Sequence, residues 1–98
     1  MIFVKRSERA EEDLIQIWSY IAQQNPRAAD QLLDRLQQRW ELLASQPRSG
    51  LARNDIGSGI RYVTTGEYIT FYRPSSVGIE IVRVIHGRRD IKANEFES

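Results

Sequence analysis

Apolar residues recur every three or four positions in the first quarter of the chain. This spacing places them on one face of a helix. Ser7 precedes the run and is a suitable N-cap, so the pattern predicts a first helix over residues 8–24. The predicted core face consists of Ala10, Leu14, Ile17, Trp18 and Ile21, widened by Ile15 and Ala22.

A second helical pattern begins directly after Asn25 and Pro26. Asn25 suits an N-cap, and Pro26 suits the first helical position, where no N–H is needed. Pro47 ends the helix, because the residue before a proline is pushed out of helical conformation. Since the connection is short, the two helices are expected to form an antiparallel hairpin. The apolar stripe consists of Ala29, Leu32, Leu33, Leu36, Trp40 and Leu43, with Leu42 off it.

The second half of the chain favours strands. Segments 60–64, 68–73 and 79–85 are rich in β-branched and aromatic residues and are separated by turn sequences. Residues 2–5 predict a first strand, and 51–56 is a candidate for a further short one. The order predicts a two-layer α+β domain in which the hairpin packs on one face of a mainly antiparallel sheet. The other face is left to solvent or to a partner.

The last predicted strand is apolar on both sides, which is usual for a central strand or one beneath a partner. Strict alternation gives two sets, namely Ile79, Ile81, Arg83 and Ile85 on one face and Glu80, Val82, Val84 and His86 on the other.

Length and composition limit the classes of function that the chain is expected to have. Ninety-eight residues suit one domain over 1–98, with 91–98 expected to be a flexible tail. The chain has no cysteine and one histidine, so we expect no disulfide, metal or cofactor. No apolar run approaches the roughly 20 residues of a membrane span, and no signal-peptide core is present. We therefore expect a cytoplasmic protein that does not bind membranes.

Positive charge is concentrated in the second half of the chain. Residues 1–47 carry six basic and seven acidic side chains, whereas 48–92 carry eight basic and four acidic ones. Almost all the basic residues are arginines, which suit planar contacts with carboxylate or phosphate. The excess is modest for a free nucleic-acid binder, so no direct nucleic-acid binding is expected.

Five short motifs carry a family resemblance. They are Asp13-Leu14-x-x-Ile17-x-x-Tyr20-Ile21-Ala22, Asn25-Pro26-x-Ala28-Ala29, Leu43-Ala44-x-x-Pro47-x-x-Gly50-x-x-Arg53, Arg61-x6-Tyr68-Ile69-x-Phe71-Tyr72-Arg73 and Ile81-x-Arg83-Val84-x-His86-Gly87-x-Arg89-Asp90. With this order and spacing, nearly the whole chain resembles the ParE toxins of the RelE/ParE superfamily, the toxin half of bacterial toxin–antitoxin pairs.

The resemblance implies a βααβββ-type fold and a growth-inhibiting toxin, of the kind that stabilises plasmids, that inhibits DNA gyrase by protein–protein binding rather than by catalysis. It also implies a cognate ParD-like antitoxin that wraps the toxin. Aromatic residues and arginines dominate interface energetics. Our candidate target contacts are Arg61, Tyr68, Tyr72, Arg83, Arg88 and Arg89. Our candidate antitoxin contacts are Trp18, Trp40 and Leu42, with core packing as the alternative for both tryptophans.

Two other functions stay open at this point. A RelE-like enzyme that cuts messenger RNA on the ribosome needs an acid, a base and cations, for which His86, Glu80 and Arg83 are the candidates. The tail has no tyrosine of the kind that such nucleases carry near the C-terminus. A non-toxic protein-binding module on the same fold is the second alternative. Arg83 has a structural alternative as well, in a buried pair with Asp90.

Overall fold

Two antiparallel helices cover one face of a five-stranded sheet. The computed structural model describes residues 3–88. The elements are β1 (Phe3–Arg6), α1 (Glu8–Ala22), α2 (Pro26–Ser45), β2 (Leu51–Ala52), β3 (Arg61–Thr65), β4 (Tyr68–Ser75) and β5 (Gly78–His86). This confirms the predicted two-layer α+β fold, its helical hairpin and all four predicted strands. The candidate strand in 51–56 is real but only two residues long. The predicted tail 91–98 lies outside the described residues.

Both helices begin at the predicted caps. The Ser7 hydroxyl accepts a hydrogen bond from the Ala10 N–H at 3.0 Å, and the Asn25 side-chain oxygen accepts one from the Ala28 N–H at 3.0 Å. α1 ends at Ala22, two residues before the predicted end, because the chain turns there to reach the Asn25 cap. No helix in residues 3–88 is long and apolar enough to cross a membrane.

The sheet has the strand order β1-β5-β4-β3-β2. All neighbouring strands are antiparallel except β1 and β5, which run parallel. The first strand therefore lies beside the last one, and the hairpin α1–α2 carries the chain across the sheet to the opposite edge.

A β-bulge in β5 makes the predicted alternation wrong. Phe71 of β4 pairs with Arg83, but the next residue, Tyr72, pairs with Ile81, so β5 carries one extra residue, Val82. An extra residue reverses the facing of every later side chain in a strand. Accordingly, Val84 joins Ile79 and Ile81 in the core beneath the helices, whereas Ile85 packs on the opposite side with Ile56, Ile60 and Phe71.

The opposite face of the sheet is not left wholly to solvent or a partner. Ile56 and Ile60, from the connection between β2 and β3, are buried against Phe71 and Ile85. The Arg53 N–H donates to the Ile60 carbonyl at 2.8 Å and closes this connection over the sheet. It forms a small second core.

Two large aromatic residues are structural here, which corrects two predicted contacts. Trp40, a candidate antitoxin contact, is buried, and its indole N–H donates to the Thr70 hydroxyl at 3.0 Å. Tyr72, a candidate target contact, is also buried; its hydroxyl donates to the Pro47 carbonyl at 2.7 Å and accepts from the Gly50 N–H at 2.9 Å. Both side chains lie in the core between the helices and the sheet, because Trp40 is on the inner side of α2 and Tyr72 on the helix-facing side of β4, and neither presents a surface to a partner.

Candidate protein-binding site

A groove opens between α1 and the end of β5, where no strand within residues 3–88 pairs with the outer side of β5. β1 pairs with β5 only as far as Arg6 opposite Ile81. The chain then leaves the sheet through Ser7, whose hydroxyl donates to the Val82 carbonyl at 2.8 Å. The later part of β5 is therefore an edge, and α1 passes alongside it.

Asp13 of α1 occupies the position that a neighbouring strand would take next to Val84. Its carboxylate accepts a hydrogen bond from the Val84 N–H at 2.9 Å. It also accepts two from Arg83, at 2.8 Å from Nε and 2.9 Å from Nη2. Asp13 and Arg83 thus join the first helix to the last strand across most of the chain.

The bidentate pair corrects two predictions for Arg83. The residue is only 3% exposed, so it has no free surface for a target, and its guanidinium is already engaged by a carboxylate. Arg83 does form a buried ion pair, with Asp13 as a partner within the described residues, whereas the predicted pair with Asp90 stays a prediction. Asp90 lies outside the described residues.

The groove has a volume of about 540 Å³ and a mixed lining. Its helix wall includes Tyr20, which is 73% exposed. Its sheet wall is the end of β5 and the start of β4. Both walls carry apolar and polar atoms. The lining residues are Asp13, Gln16, Ile17, Tyr20 and Ile21 from α1, with Glu67, Tyr68, Val84, Ile85 and His86 from the sheet.

An aromatic and ionisable cluster forms the end of the groove. The rings of Tyr68 and His86 meet edge to face with centroids 5.3 Å apart. His86 Nδ1 accepts the Arg88 backbone N–H at 3.1 Å, so its proton is assigned to Nε2, which lies 3.6 Å from the Glu67 carboxylate. Burial raises the pKa of Tyr68, with the Glu67 charge adding to the shift, so this phenol is neutral at physiological pH.

The predicted nuclease residues do not assemble. The bulge places Glu80 and His86 on opposite faces of the sheet, because Glu80 precedes the extra residue and His86 follows it. Six residues of strand also separate them, roughly 20 Å. Arg83 is held by Asp13. The expectation that Glu80 and His86 share a face is therefore wrong. Within residues 3–88, no group of three His, Asp or Glu side chains could hold a metal ion.

The family of the chain follows from comparison with known proteins. Residues 4–91 match the family model described as the ParE toxin of the type II toxin–antitoxin system parDE. The chain belongs to the ParE toxin family.

Two curated ParE relatives agree with this assignment. Toxin ParE1 of Caulobacter vibrioides is 34% identical over 90 residues, which cover 90% of this chain and 92% of that protein. Toxin ParE1 of Mycobacterium tuberculosis is 39% identical over 67 residues, which cover 67% of this chain and 68% of that protein.

Two solved structures share the ParE fold seen here. A chain of the chromosomal ParDE toxin–antitoxin system from P. aeruginosa superimposes with a TM-score of 0.71 at 21% identity, covering 88% of this chain and 96% of that one. A chain of the toxin–antitoxin complex RelBE2 from Mycobacterium tuberculosis gives a TM-score of 0.59 at 21% identity, covering 87% and 96%. At these identities the likeness concerns the fold, two helices packed on a five-stranded sheet.

The six predicted target contacts of this ParE family member do not form one surface. Tyr68 and the exposed Arg88 lie at the groove end of the sheet. Arg61 lies at the other end of the sheet, because it starts β3 whereas Tyr68 pairs with the residue that ends it. Tyr72 and Arg83 are in the interior. Arg89 lies outside the described residues.

The predicted antitoxin contacts are likewise dispersed. Trp18 is 37% exposed, donates its indole N–H to Asp30 at 2.8 Å, and lines a shallow depression with Ile15 and Leu33 on the outside of the hairpin. Leu42 is 66% exposed and faces the β3–β4 turn on the far side of α2. Trp40 is buried, as described above.

The sequence interpretation missed Tyr20 and Glu67 as groove residues and placed Ile15 in the core, although its side chain is exposed. Tyr20 carried a usable signal, since a large aromatic residue off the apolar stripe of a helix is exposed by geometry. Glu67 carried none, because its proximity to His86 depends on the pairing of β4 with β5.

Proposed function

We propose that this ParE-family toxin acts in the cytoplasm by binding a target protein, DNA gyrase, and catalyses no reaction of its own. The family of the chain supports the gyrase target. The absence of catalysis is supported by the site itself.

One observation carries the proposal, the separation of Glu80 from His86 by the β5 bulge. General acid–base cleavage of RNA needs both groups within hydrogen-bond reach of one substrate, and these two lie on opposite faces of the sheet. The groove instead offers exposed aromatic and apolar side chains beside a strand edge, which are features that bind protein. No arrangement within the described residues favours the RelE-like nuclease.

We further propose that a ParD-like antitoxin neutralises the toxin by laying an extended segment along the free edge of β5. The Gly87 N–H donates to the Glu67 carbonyl at 2.8 Å. Because hydrogen-bonded and non-hydrogen-bonded pairs alternate in antiparallel ladders, the backbone groups of Val84 and His86 point away from β4 and towards the groove. Asp13 takes the Val84 N–H, while the Val84 carbonyl and the His86 N–H face the groove.

The exposed side chains around this edge supply the remaining proposed contacts. Tyr20, Tyr68 and Arg88 surround the strand edge and are the proposed target surface, which the antitoxin covers when it binds. Trp18 and Leu42 extend the proposed antitoxin interface over the outside of the hairpin, because large exposed apolar side chains suit burial by a partner.

Growth arrest on induced expression tests the proposal. We expect the double variant Glu80→Gln/His86→Gln to arrest growth like the parent, because it removes the acid and base but keeps polar side chains of similar size. We expect Tyr68→Ala/Arg88→Gln to lose at least about tenfold in potency, since interface aromatic and arginine side chains each contribute ~1–2 kcal/mol or more. Arg27→Gln, on the outer surface of α2, is the control for loss of one positive charge.

The opposite pattern of growth arrest in these variants would contradict the protein-binding proposal. If Glu80→Gln/His86→Gln abolishes arrest while Tyr68→Ala/Arg88→Gln retains it, with both variants folded by circular dichroism, the protein works by acid–base chemistry.

A further inference from the structure

Three arginines line one small pocket at the opposite edge of the sheet from the groove. The pocket has a volume of about 330 Å³ and lies where β2 ends, β3 begins and β4 ends. We call it the arginine pocket; its polar lining includes Arg48, Arg61, Arg73 and Asn54, with Ala52 and Gly59 contributing backbone.

None of the three guanidinium groups has a carboxylate partner within residues 3–88. Arg61 instead donates from Nη1 to the backbone carbonyls of Gly50 at 2.7 Å and Arg48 at 3.2 Å, and Arg73 donates from Nε to the Ser58 carbonyl at 3.2 Å. Carbonyl acceptors hold these groups in place without neutralising their charge. The other N–H donors of each planar group stay available for an anion.

Two acidic side chains lie near the pocket, and neither forms an ion pair with one of its three arginines. Glu80 lies opposite Arg73 in the β4–β5 ladder. Asp55 accepts two hydrogen bonds from Arg53, both at 2.9 Å, so it is neutralised by a fourth arginine that does not line the pocket. No acidic residue of the described range 3–88 lines the pocket itself. The local field therefore favours an anion with two or more oxygens, which guanidinium groups bind in bidentate fashion.

The backbone next to the pocket indicates what kind of anion enters. β2 is an edge strand of two residues. Arg53 donates to Ile60, so by the alternation of the ladder the Ala52 backbone groups point outward from the sheet. Ala52 also lines the pocket, and the neighbouring Leu51 is 63% exposed. A polypeptide strand can pair with this edge, cover Leu51 and place an acidic side chain among the arginines.

We infer that the arginine pocket, with the β2 edge, is a second docking site, which binds an aspartate- or glutamate-rich segment of a protein partner. Nucleic acid fits less well, because no aromatic side chain from the described part of the chain lines the pocket for base stacking and the cavity is small. The inference does not depend on the proposed antitoxin groove, which lies at the other edge of the sheet.

A titration of the ¹⁵N-labelled full chain with a hexaglutamate peptide in low-salt buffer tests the inference. We expect the largest amide shift changes at Ala52 and Gly59. We expect Arg48→Gln and Arg73→Gln each to weaken binding by up to about fivefold, the upper end of the range for an exposed charge pair. Arg27→Gln removes the same charge from the outer surface of α2 and should leave the affinity unchanged.

Three results overturn the inference. In the first, the peptide does not bind. In the second, the amide shift changes spread over all basic surfaces and Arg27→Gln weakens binding as much as Arg48→Gln does. In the third, a short DNA duplex binds at Ala52 and Gly59 more tightly than the peptide does, which would identify nucleic acid as the partner. Because the titration contains neither antitoxin nor gyrase, its failure leaves the groove proposal intact.

Discussion

Arg83 shows at the residue scale why a polar side chain cannot be assigned a role from its neighbours in sequence. Its partner Asp13 lies 70 residues away along the chain, and only the parallel placement of β1 beside β5 brings α1 over that strand. Asp13 in turn belongs to the first half of α1, where a carboxylate is expected for the helix dipole alone. Nothing in either local sequence distinguishes a buried pair from two surface charges.

Loss of the Asp13 carboxylate should strongly lower the stability of the fold. The variant Asp13→Ala leaves the buried Arg83 guanidinium without this carboxylate and removes the acceptor of the Val84 N–H. We expect the free energy of unfolding to fall by about 3–5 kcal/mol, measured by urea denaturation. The double variant Asp13→Leu/Arg83→Met should recover part of the loss, because it removes both charges of this pair. Asp55→Asn at the exposed Arg53 pair should leave the urea midpoint unchanged; an equal effect at both sites would contradict the buried-pair account.

The ionisation of Tyr72 is expected to lower the stability of the fold at alkaline pH. Burial raises the pKa of its hydroxyl above the ordinary value of 10.0, although the Gly50 N–H and the charges of Arg61 and Arg39 oppose the shift. The folded state then keeps a proton that the unfolded chain releases, so this stability is complete below about pH 10 and declines as pH rises through the raised pKa. The raised pKa of Tyr68 acts in the same direction.

Replacing Tyr72 tests that dependence. We expect Tyr72→Phe to be less stable at neutral pH by about 1–3 kcal/mol, because the Pro47 carbonyl and the Gly50 N–H lose their buried partner. Urea denaturation between pH 8 and 11 should show a shallower alkaline decline in the variant than in the parent. An unchanged slope would mean that the Tyr72 pKa is not raised.

At the scale of elements, the sequence predicts what local chemistry determines. Ser7, Asn25 and Pro26 mark both helix starts, and the glycine- and proline-containing turns separate the later strands, because caps and turns act within four residues. The β5 bulge and the pairing of β1 with β5 are not local. They depend on how distant strands align, and the bulge alone reverses the facing of Val84, Ile85 and His86. The predicted nuclease set failed for that reason.

The two helix caps should differ in their contribution to stability. Ser7 caps α1 and also donates to Val82 of β5, whereas Asn25 caps α2 alone. We expect Asn25→Ala to cost about 1 kcal/mol of unfolding free energy and Ser7→Ala to cost about 0.5–1.5 kcal/mol more, the net value of the additional hydrogen bond. Thermal and urea unfolding of the two variants measure the difference. Equal costs would show that the tie from Ser7 to β5 contributes nothing.

At the scale of the whole molecule, the two edges of the sheet carry side chains of different chemical character. The β5 edge opens into a groove with aromatic, apolar and acidic side chains together with His86, whereas the β2 edge adjoins the arginine pocket. A charge excess in the second half of the sequence indicated a basic region, but the strand order decides that Arg48, Arg61 and Arg73 converge while Arg83 is buried and Arg88 lies at the other end. Two docking sites on one small domain, as proposed above, would suit a toxin that acts by binding other proteins.

A gyrase supercoiling assay tests the central claim most directly. Purified, antitoxin-free protein is added to DNA gyrase with relaxed plasmid and ATP, and both supercoiling and cleaved DNA are measured. We predict that supercoiling is lost and cleaved DNA accumulates at roughly equimolar toxin, and that the Glu80→Gln/His86→Gln variant behaves in the same way. Full supercoiling in the presence of excess folded protein would contradict the account.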